Sequence, residues 1–248
     1  MPLPAADNKA ADSVAGWEVG GKDFRSGAGW WALACERNCA LYATRLQVRN
    51  AKHATADGSQ VDSQLLSWSP LPFALDRATP AKYAADAGDP PQPFLVGVFK
   101  PVGALAALRL QAGPLQTWLH AAMKFYPAPD RADTMEIRIP LSGNQHASLV
   151  PRAQPAAADH IAVLELRAYG KRQALNGYNN LSQNEVLNPR QVLLWAGDLD
   201  GDGKLDLIIS HDRQDIDVAV YLSSLAQPGE LVGLAGSMRY VFPASSGR

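Results

Sequence analysis

A chain of 248 residues with 47% hydrophobic side chains is long enough for one large β domain or two small ones, each with a real core. Its formal net charge of −1, with basic residues scattered rather than interleaved with aromatics, gives no electrostatic footprint for nucleic acid or an anionic membrane. No apolar stretch approaches the roughly 20 residues that a membrane-spanning helix needs.

Residues 1–16 are small and polar and read as a flexible tether behind a removed export signal. Such tethers often follow a lipidated cysteine, so a lipid anchor upstream belongs to the same expectation. The two cysteines, Cys35 and Cys39, have three residues between them and stand between strand-like runs at 30–36 and 39–49. In an exported protein they are expected to close a disulfide across a hairpin turn. Two cysteines alone cannot make a structural zinc site.

Further strands are expected at residues 61–69, 94–100, 104–112, 134–142, 160–169, 191–197, 205–211, 216–223 and 237–242. Residues 135–141 (Met-Glu-Ile-Arg-Ile-Pro-Leu) alternate apolar and polar, the mark of a half-buried strand. Residues 161–169 are more continuously apolar and read as a central strand. Residues 114–124 have helical spacing at Leu115, Trp118, Leu119 and Met123 but fit a strand equally. The proline-rich stretches 70–93 and 151–159 read as loops or linkers. These signals predict an all-β fold, sandwich or barrel-like, with little helix. One β-rich domain over 17–248 and two intimate lobes divided near 151–159 fit the pattern equally.

Residues 170–190 read as a long loop dense in amides, including Asn176, Asn179, Asn180, Asn184 and Asn188, with Tyr178 among them. Long irregular loops in compact domains are often functional, and amides beside a rigid aromatic suit carbohydrate or a cleft built for it.

Residues 198–206 read Asp-Leu-Asp-Gly-Asp-Gly-Lys-Leu-Asp. Asp198, Asp200, Asp202 and Asp206 fall at positions 1, 3, 5 and 9 of a short loop, and the Lys204 carbonyl can fill position 7. Oxygen-rich loops of this spacing suit Ca²⁺, a hard cation taking six to eight oxygens. Gly203 supplies a turn that glycine makes cheaply, and without a cation the four carboxylates would repel one another. Position 12 is Ile209, so the loop is not an EF-hand, and its flanks are of strand length. It resembles the calcium loops of FG-GAP and VCBS-type repeats. A single copy does not support a propeller of repeated blades, and a loop between two strands is expected to be structural rather than catalytic.

No Gly-x-Ser-x-Gly elbow, His-Glu-x-x-His or phosphate-binding glycine loop occurs, and the expectation is a protein that is not an enzyme. The stretch from Trp195 through the acidic loop to Ser210, followed by Val218-Ala-Val-Tyr-Leu-Ser-Ser and on to Val232, resembles periplasmic immunity proteins of antibacterial type IV secretion systems. Those lipoproteins block a lysozyme-like peptidoglycan hydrolase, and they are similar in topology to periplasmic lysozyme inhibitors, which push a Ser-Gly-x-x-Tyr-like loop into the enzyme cleft. The nearest local matches are Asn176-Gly177-Tyr178 and Ser142-Gly143-Asn144. The resemblance implies a periplasmic inhibitor whose partner is a peptidoglycan-hydrolase effector, contacted through the 170–188 loop. Tyr169 or Tyr178 would be the aromatic anchor, with Asn176 and Arg172 beside it. The competing expectation is a calcium-dependent carbohydrate or cell-surface binding module.

Overall fold

The computed structural model describes residues 17–35, 38–55, 57–71, 94–108, 110–120, 136–153, 162–175, 193–210 and 216–240. Their regular structure is β-strand, apart from two short 3-10 helices at Gly103–Ala107 and Ser223–Leu225. The first sheet holds β1 (Trp17–Gly20), β2 (Gly27–Cys35), β3 (Cys39–Ala54), β4 (Gln60–Ser69), β5 (Phe94–Phe99) and β6 (Gly113–Pro114). Its order is β1-β4-β3-β2-β5, with β6 paired to β3. β7 (Gln116–His120) joins a later sheet. β8 (Ile137–Pro140), β9 (His146–Ala153), β10 (Ala162–Ala168) and β11 (Lys171–Leu175) form a four-stranded sheet in the order β11-β10-β9-β8. β12 (Leu193–Asp198), β13 (Asp206–Ser210), β14 (Ile216–Leu222) and β15 (Gly233–Tyr240) complete the five-stranded sheet β15-β14-β13-β12-β7. The pairings are antiparallel, one of the sheets is a half-barrel, and the fold is all-β as the sequence predicts.

The five-stranded sheet lies between the other two, and its side chains say why. In β13 and β14, Leu207, Ile209, Ala219 and Tyr221 pack with Ile137, Ile139, Leu149, Leu164 and Leu166 of the four-stranded sheet. The alternate residues Ile208, Val220 and Leu222 pack instead with Leu33, Leu41, Val96 and Phe99 of the first sheet. Side chains on a strand alternate faces, so a strand buried on both sides reads as a continuous apolar run. Leu207-Ile208-Ile209 is such a run, each residue at most 2% exposed, and burying each contributes about 1.5–3 kcal/mol. A third cluster, with Val19, Trp30, Leu46, Leu66, Trp68 and Val98, belongs to the first sheet alone.

Several sequence expectations change. Residues 104–112 were predicted as a strand, but Gly103–Ala107 turn as a 3-10 helix with Leu105 as its buried anchor; Gly-Ala-Leu-Ala-Ala has no β-branched residue to favour a strand. The predicted linker 151–159 starts too early, because 151–153 continue β9 and pair with Ala162–Leu164. The predicted loop 170–190 also starts too early: Lys171–Leu175 are β11, paired with β10 from Ala168↔Lys171 to Leu164↔Leu175. The ambiguous segment after Pro114 is a strand at Gln116–His120, and β1 was not anticipated.

Candidate functional site

The acidic loop joins β12 to β13, with Gly197 opposite Asp206 where the strands part. Local packing fixes its start. The Trp195 side chain, 0% exposed, lies against Gly197, and its Nε1 donates to Thr117 Oγ1 at 3.1 Å. A Cβ on residue 197 would stand 2.2 Å from the Trp195 ring and 2.3 Å from the Gln116 carbonyl oxygen, so only glycine fits. Gly201 and Gly203 then adopt φ of 81° and 79°, the left-handed region that glycine enters without a steric cost.

Carboxylates wind the loop around themselves. Asp198 accepts from the N–H groups of Gly201 at 2.7 Å and Gly203 at 2.9 Å. Asp200 accepts from Asp202 N at 3.2 Å, and Asp202 from Lys204 N at 2.8 Å. These are Asx-type turns, which aspartate forms readily. Asp206 is 0% exposed and accepts from Leu199 N at 2.7 Å and Ser223 N at 2.8 Å. Burial pushes its carboxyl up to about 7; the two backbone donors oppose that, and the charges of Asp200 and Asp202 add to it. The turn after β14 leans on the loop as well. Ser223 Oγ donates to Asp202 at 2.9 Å, and Ser224 Oγ donates to Asp200.

One oxygen from each of Asp198, Asp200 and Asp206 lies within 4.8 Å of the others, close enough to hold a metal ion. Three of the four aspartates picked out by spacing are thus brought together. Asp202 directs its oxygens to Lys204 and Ser223. The serines of the turn were missed as part of this site. Their signal was the Ser-Ser pair directly after an apolar strand, which the sequence reading treated only as a family likeness.

The β10–β11 hairpin turns through two residues, Tyr169 (φ 50°) and Gly170 (φ 73°). Two consecutive left-handed residues make the type I′ turn that matches strand twist. Gly is at home there; Tyr is not. The Tyr169 side chain, predicted as an anchor within a long loop, instead stands at this tight tip, 54% exposed. Arg172 lies on the second strand, opposite Arg167. Asn176 and Tyr178 lie outside the described residues. Gln173, also missed, ties the hairpin to the segment before β15: its Nε2 donates to Val232 O at 2.7 Å, and its Oε1 accepts from Leu231 N at 2.7 Å and Val232 N at 3.0 Å.

Cys35 and Cys39 face one another across the β2–β3 pair and form a disulfide. Both are buried, 1% and 0% exposed, in the core shared by the first and central sheets. Among the described residues no helix is long and apolar enough to cross a membrane. No protein-family model, curated protein or solved structure matches the chain.

Proposed function

We propose that this chain is a periplasmic immunity protein that binds Ca²⁺ in the β12–β13 loop and inhibits a lysozyme-like peptidoglycan hydrolase of a type IV secretion system. The observation that carries the inhibitor reading is Tyr169. A non-glycine residue in the left-handed region costs energy, and here it holds an exposed ring on a narrow turn between two paired strands. A turn whose backbone is set in advance loses little entropy on docking, and aromatic and arginine side chains dominate interface energetics. The neighbouring cations, Lys171 and Arg172, suit a glycosidase cleft, whose chemistry needs a pair of carboxylates. Of the four expected contact residues, Tyr169 and Arg172 are the two that this hairpin carries.

Calcium is the metal that the donor set fits. The candidate ligands are all oxygen: Asp198, Asp200, Asp202 and Asp206, with the Lys204 carbonyl. A Ca²⁺–oxygen distance of about 2.3–2.6 Å puts ligands up to about 5 Å apart across the ion, and the three gathered carboxylates fall inside that span. A buried Asp206 ringed by like charges is a strong reason for a cation to bind there. The disulfide fits an oxidising compartment.

The test is lysis of cell walls by the hydrolase encoded beside this gene, with and without the purified protein. Inhibition is expected, weakened on the order of ten-fold by Tyr169→Ala. Undiminished lysis at excess protein overturns the inhibitor reading, and binding to purified peptidoglycan in that preparation would favour the carbohydrate-binding alternative. Melting temperatures identical in excess calcium and in EGTA would remove the calcium assignment.

A further inference from the structure

The first sheet extends beyond the core that it shares with the central sheet. Along β3, Leu41 is buried in that core with Leu33 of β2, directly opposite. Ala43, Arg45 and Gln47 are the next residues on the same face, and they are exposed. Register gives them two neighbours. Trp31 of β2 stands directly opposite Ala43, and Ser69 of β4 directly opposite Arg45. Side chains so paired share a face, with Cβ atoms about 4.5–5.5 Å apart. Trp31 is half-buried. Phe99 of β5 flanks it on one side, and on the other only the methyl group of Ala43 does.

The regular ladder breaks off around this row. In β2, Gly27 faces Leu46 and Trp30 faces Thr44, so Ala28 and Gly29 stand against Arg45 alone. Such bulges bend a strand and are common beside functional sites. β4 ends at Ser69. An open cleft in two parts, of about 530 and 340 Å³, lies here. Arg45 and Pro70 line both parts, Gln47 and Ser69 the first, and Trp31 and Ala43 the second. A few polar groups beside apolar ones, in a volume of this order, are the usual make-up of a ligand site. Among the described residues no carboxylate lines the cleft. The side chains of Arg45, Gln47 and Ser69 are exposed and make no hydrogen bond or ion pair there, so their donors are open to a ligand.

We propose that this cleft binds a saccharide carrying a carboxylate, with a sugar ring against Trp31, the carboxylate on Arg45, and ring hydroxyls on Gln47 and Ser69. The arginine fork matches a carboxylate. An amide and a hydroxyl both donate and accept, as sugar hydroxyls require, and an indole offers apolar surface to a ring. A polyphosphate would make no use of the indole. An extended acidic peptide would need a free strand edge to pair with, and β3 has β2 on one side and β4 on the other. The site lies in a different sheet from the Tyr169 tip and does not rest on the inhibitor reading.

The full-length protein is titrated with oligogalacturonate and with hyaluronan fragments, and with the methyl ester of each as the same rings without the charge. Polyphosphate and poly-L-glutamate serve as comparators. The wild type is expected to bind an acidic oligomer on the order of ten-fold more tightly than its ester, as a hydrogen bond to a charged group implies. Arg45→Gln should bring the acid down to the affinity of the ester and leave the ester unchanged. Ala43→Gln places a longer side chain beside the indole and should weaken acid and ester alike. Both substitutions are at exposed positions, so melting temperatures should stay at the wild-type value. Binding of neither acid overturns the proposal, as does equal binding of acid and ester, or binding unchanged in Arg45→Gln and Ala43→Gln. Tighter Arg45-dependent binding of polyphosphate or polyglutamate overturns the saccharide assignment. Both variants should inhibit lysis as the wild type does. If the acid binds through Arg45 and lysis is not blocked, this site stands and the inhibitor reading falls; if lysis is blocked and no acid binds, this site alone falls.

Discussion

With divalent cations removed by EGTA, Asp206 becomes the most pH-sensitive group described in the fold. Its carboxyl is fully buried and titrates near 7 instead of 3.8, chiefly because burial disfavours the anion. Between those values the folded chain holds a proton that the unfolded chain has released. Stability therefore falls as pH rises from about 4 to 7 and levels off above. The loss integrates to about 4 kcal/mol at about 1.4 kcal/mol per pH step, or on the order of 10 °C in melting temperature for a chain of this size. The assay is urea unfolding at a series of pH values in EGTA, for wild type and Asp206→Asn. The variant cannot titrate, so the difference between the two curves isolates this group. The exposed Asp57 and the half-exposed Asp62, both held down near 2 by hydrogen bonds, to Thr55 and Ser59 and to Lys22 and Lys52 respectively, cancel in that difference. In excess calcium the slope should reverse, since a bound cation stabilises the ionised carboxylates and protons compete with it. A wild-type curve in EGTA parallel to that of Asp206→Asn between pH 5 and 7 would refute the reasoning.

Three further outcomes follow from packing and bonding. Gly197→Ala forces a methyl group to within 2.3 Å of a buried indole and a backbone carbonyl, and it should lower the unfolding free energy by about 3 kcal/mol, read from the urea midpoint. Gln173→Ala removes one donor and one doubly used acceptor from the backbone of Leu231 and Val232; it should cost about 1–3 kcal/mol and speed hydrogen exchange at those two amides. Replacing Cys35 and Cys39 together by alanine opens a loop of sequence separation 4, which by chain entropy should cost about 2 kcal/mol; intact mass with alkylation, without reductant, should find no free thiol in the wild type.

What was legible in the sequence was whatever the local code carries. Alternation at 135–141 and the apolar runs at 161–169 and 205–210 translated directly into β8, β10 and β13, because strand period and burial set those patterns. The acidic loop was legible because aspartates at odd positions with interspersed glycines have few other uses. Elements that rely on tertiary neighbours were not legible. His146–Val150 looks polar, since only Ala147 and Leu149 face the core while Ser148 bonds to Glu136 at 2.5 Å. Lys171–Leu175 looks like loop, since Gln173 spends its amide on a distant backbone and only Leu175 reaches the core. The turn itself was hidden because Tyr-Gly lacks the Asn-Gly or Asp-Gly signature of such hairpins. The residue that violates the turn rule is also the one on which the proposed function rests; such local violations are the places where sequence rules are expected to fail.

The same non-local bonds define how a metal could influence a hairpin in another sheet. The connection between β14 and β15 meets the acidic loop at one end, where Ser223 and Ser224 donate to Asp206, Asp202 and Asp200. At the other end Leu231 and Val232 hold Gln173 of β11. Between these ends the chain is not slack. Ala226 N donates to Ser223 O at 3.1 Å, Glu230 N to Gln227 O at 2.9 Å, and Gln227 N to the Glu230 carboxylate at 3.0 Å. Gly233 sits so close to Leu225 that a Cβ would meet its carbonyl oxygen at 2.2 Å. A short, internally bonded segment pinned at both ends transmits position better than a flexible one of equal length. A cation that gathers the carboxylates would fix the acceptors of Ser223 and Ser224, and through them the frame on which Gln173 holds β11. In the reading proposed above, the cation has no need to touch a partner: narrowing the orientations open to the Tyr169 tip would lower the entropy lost on docking.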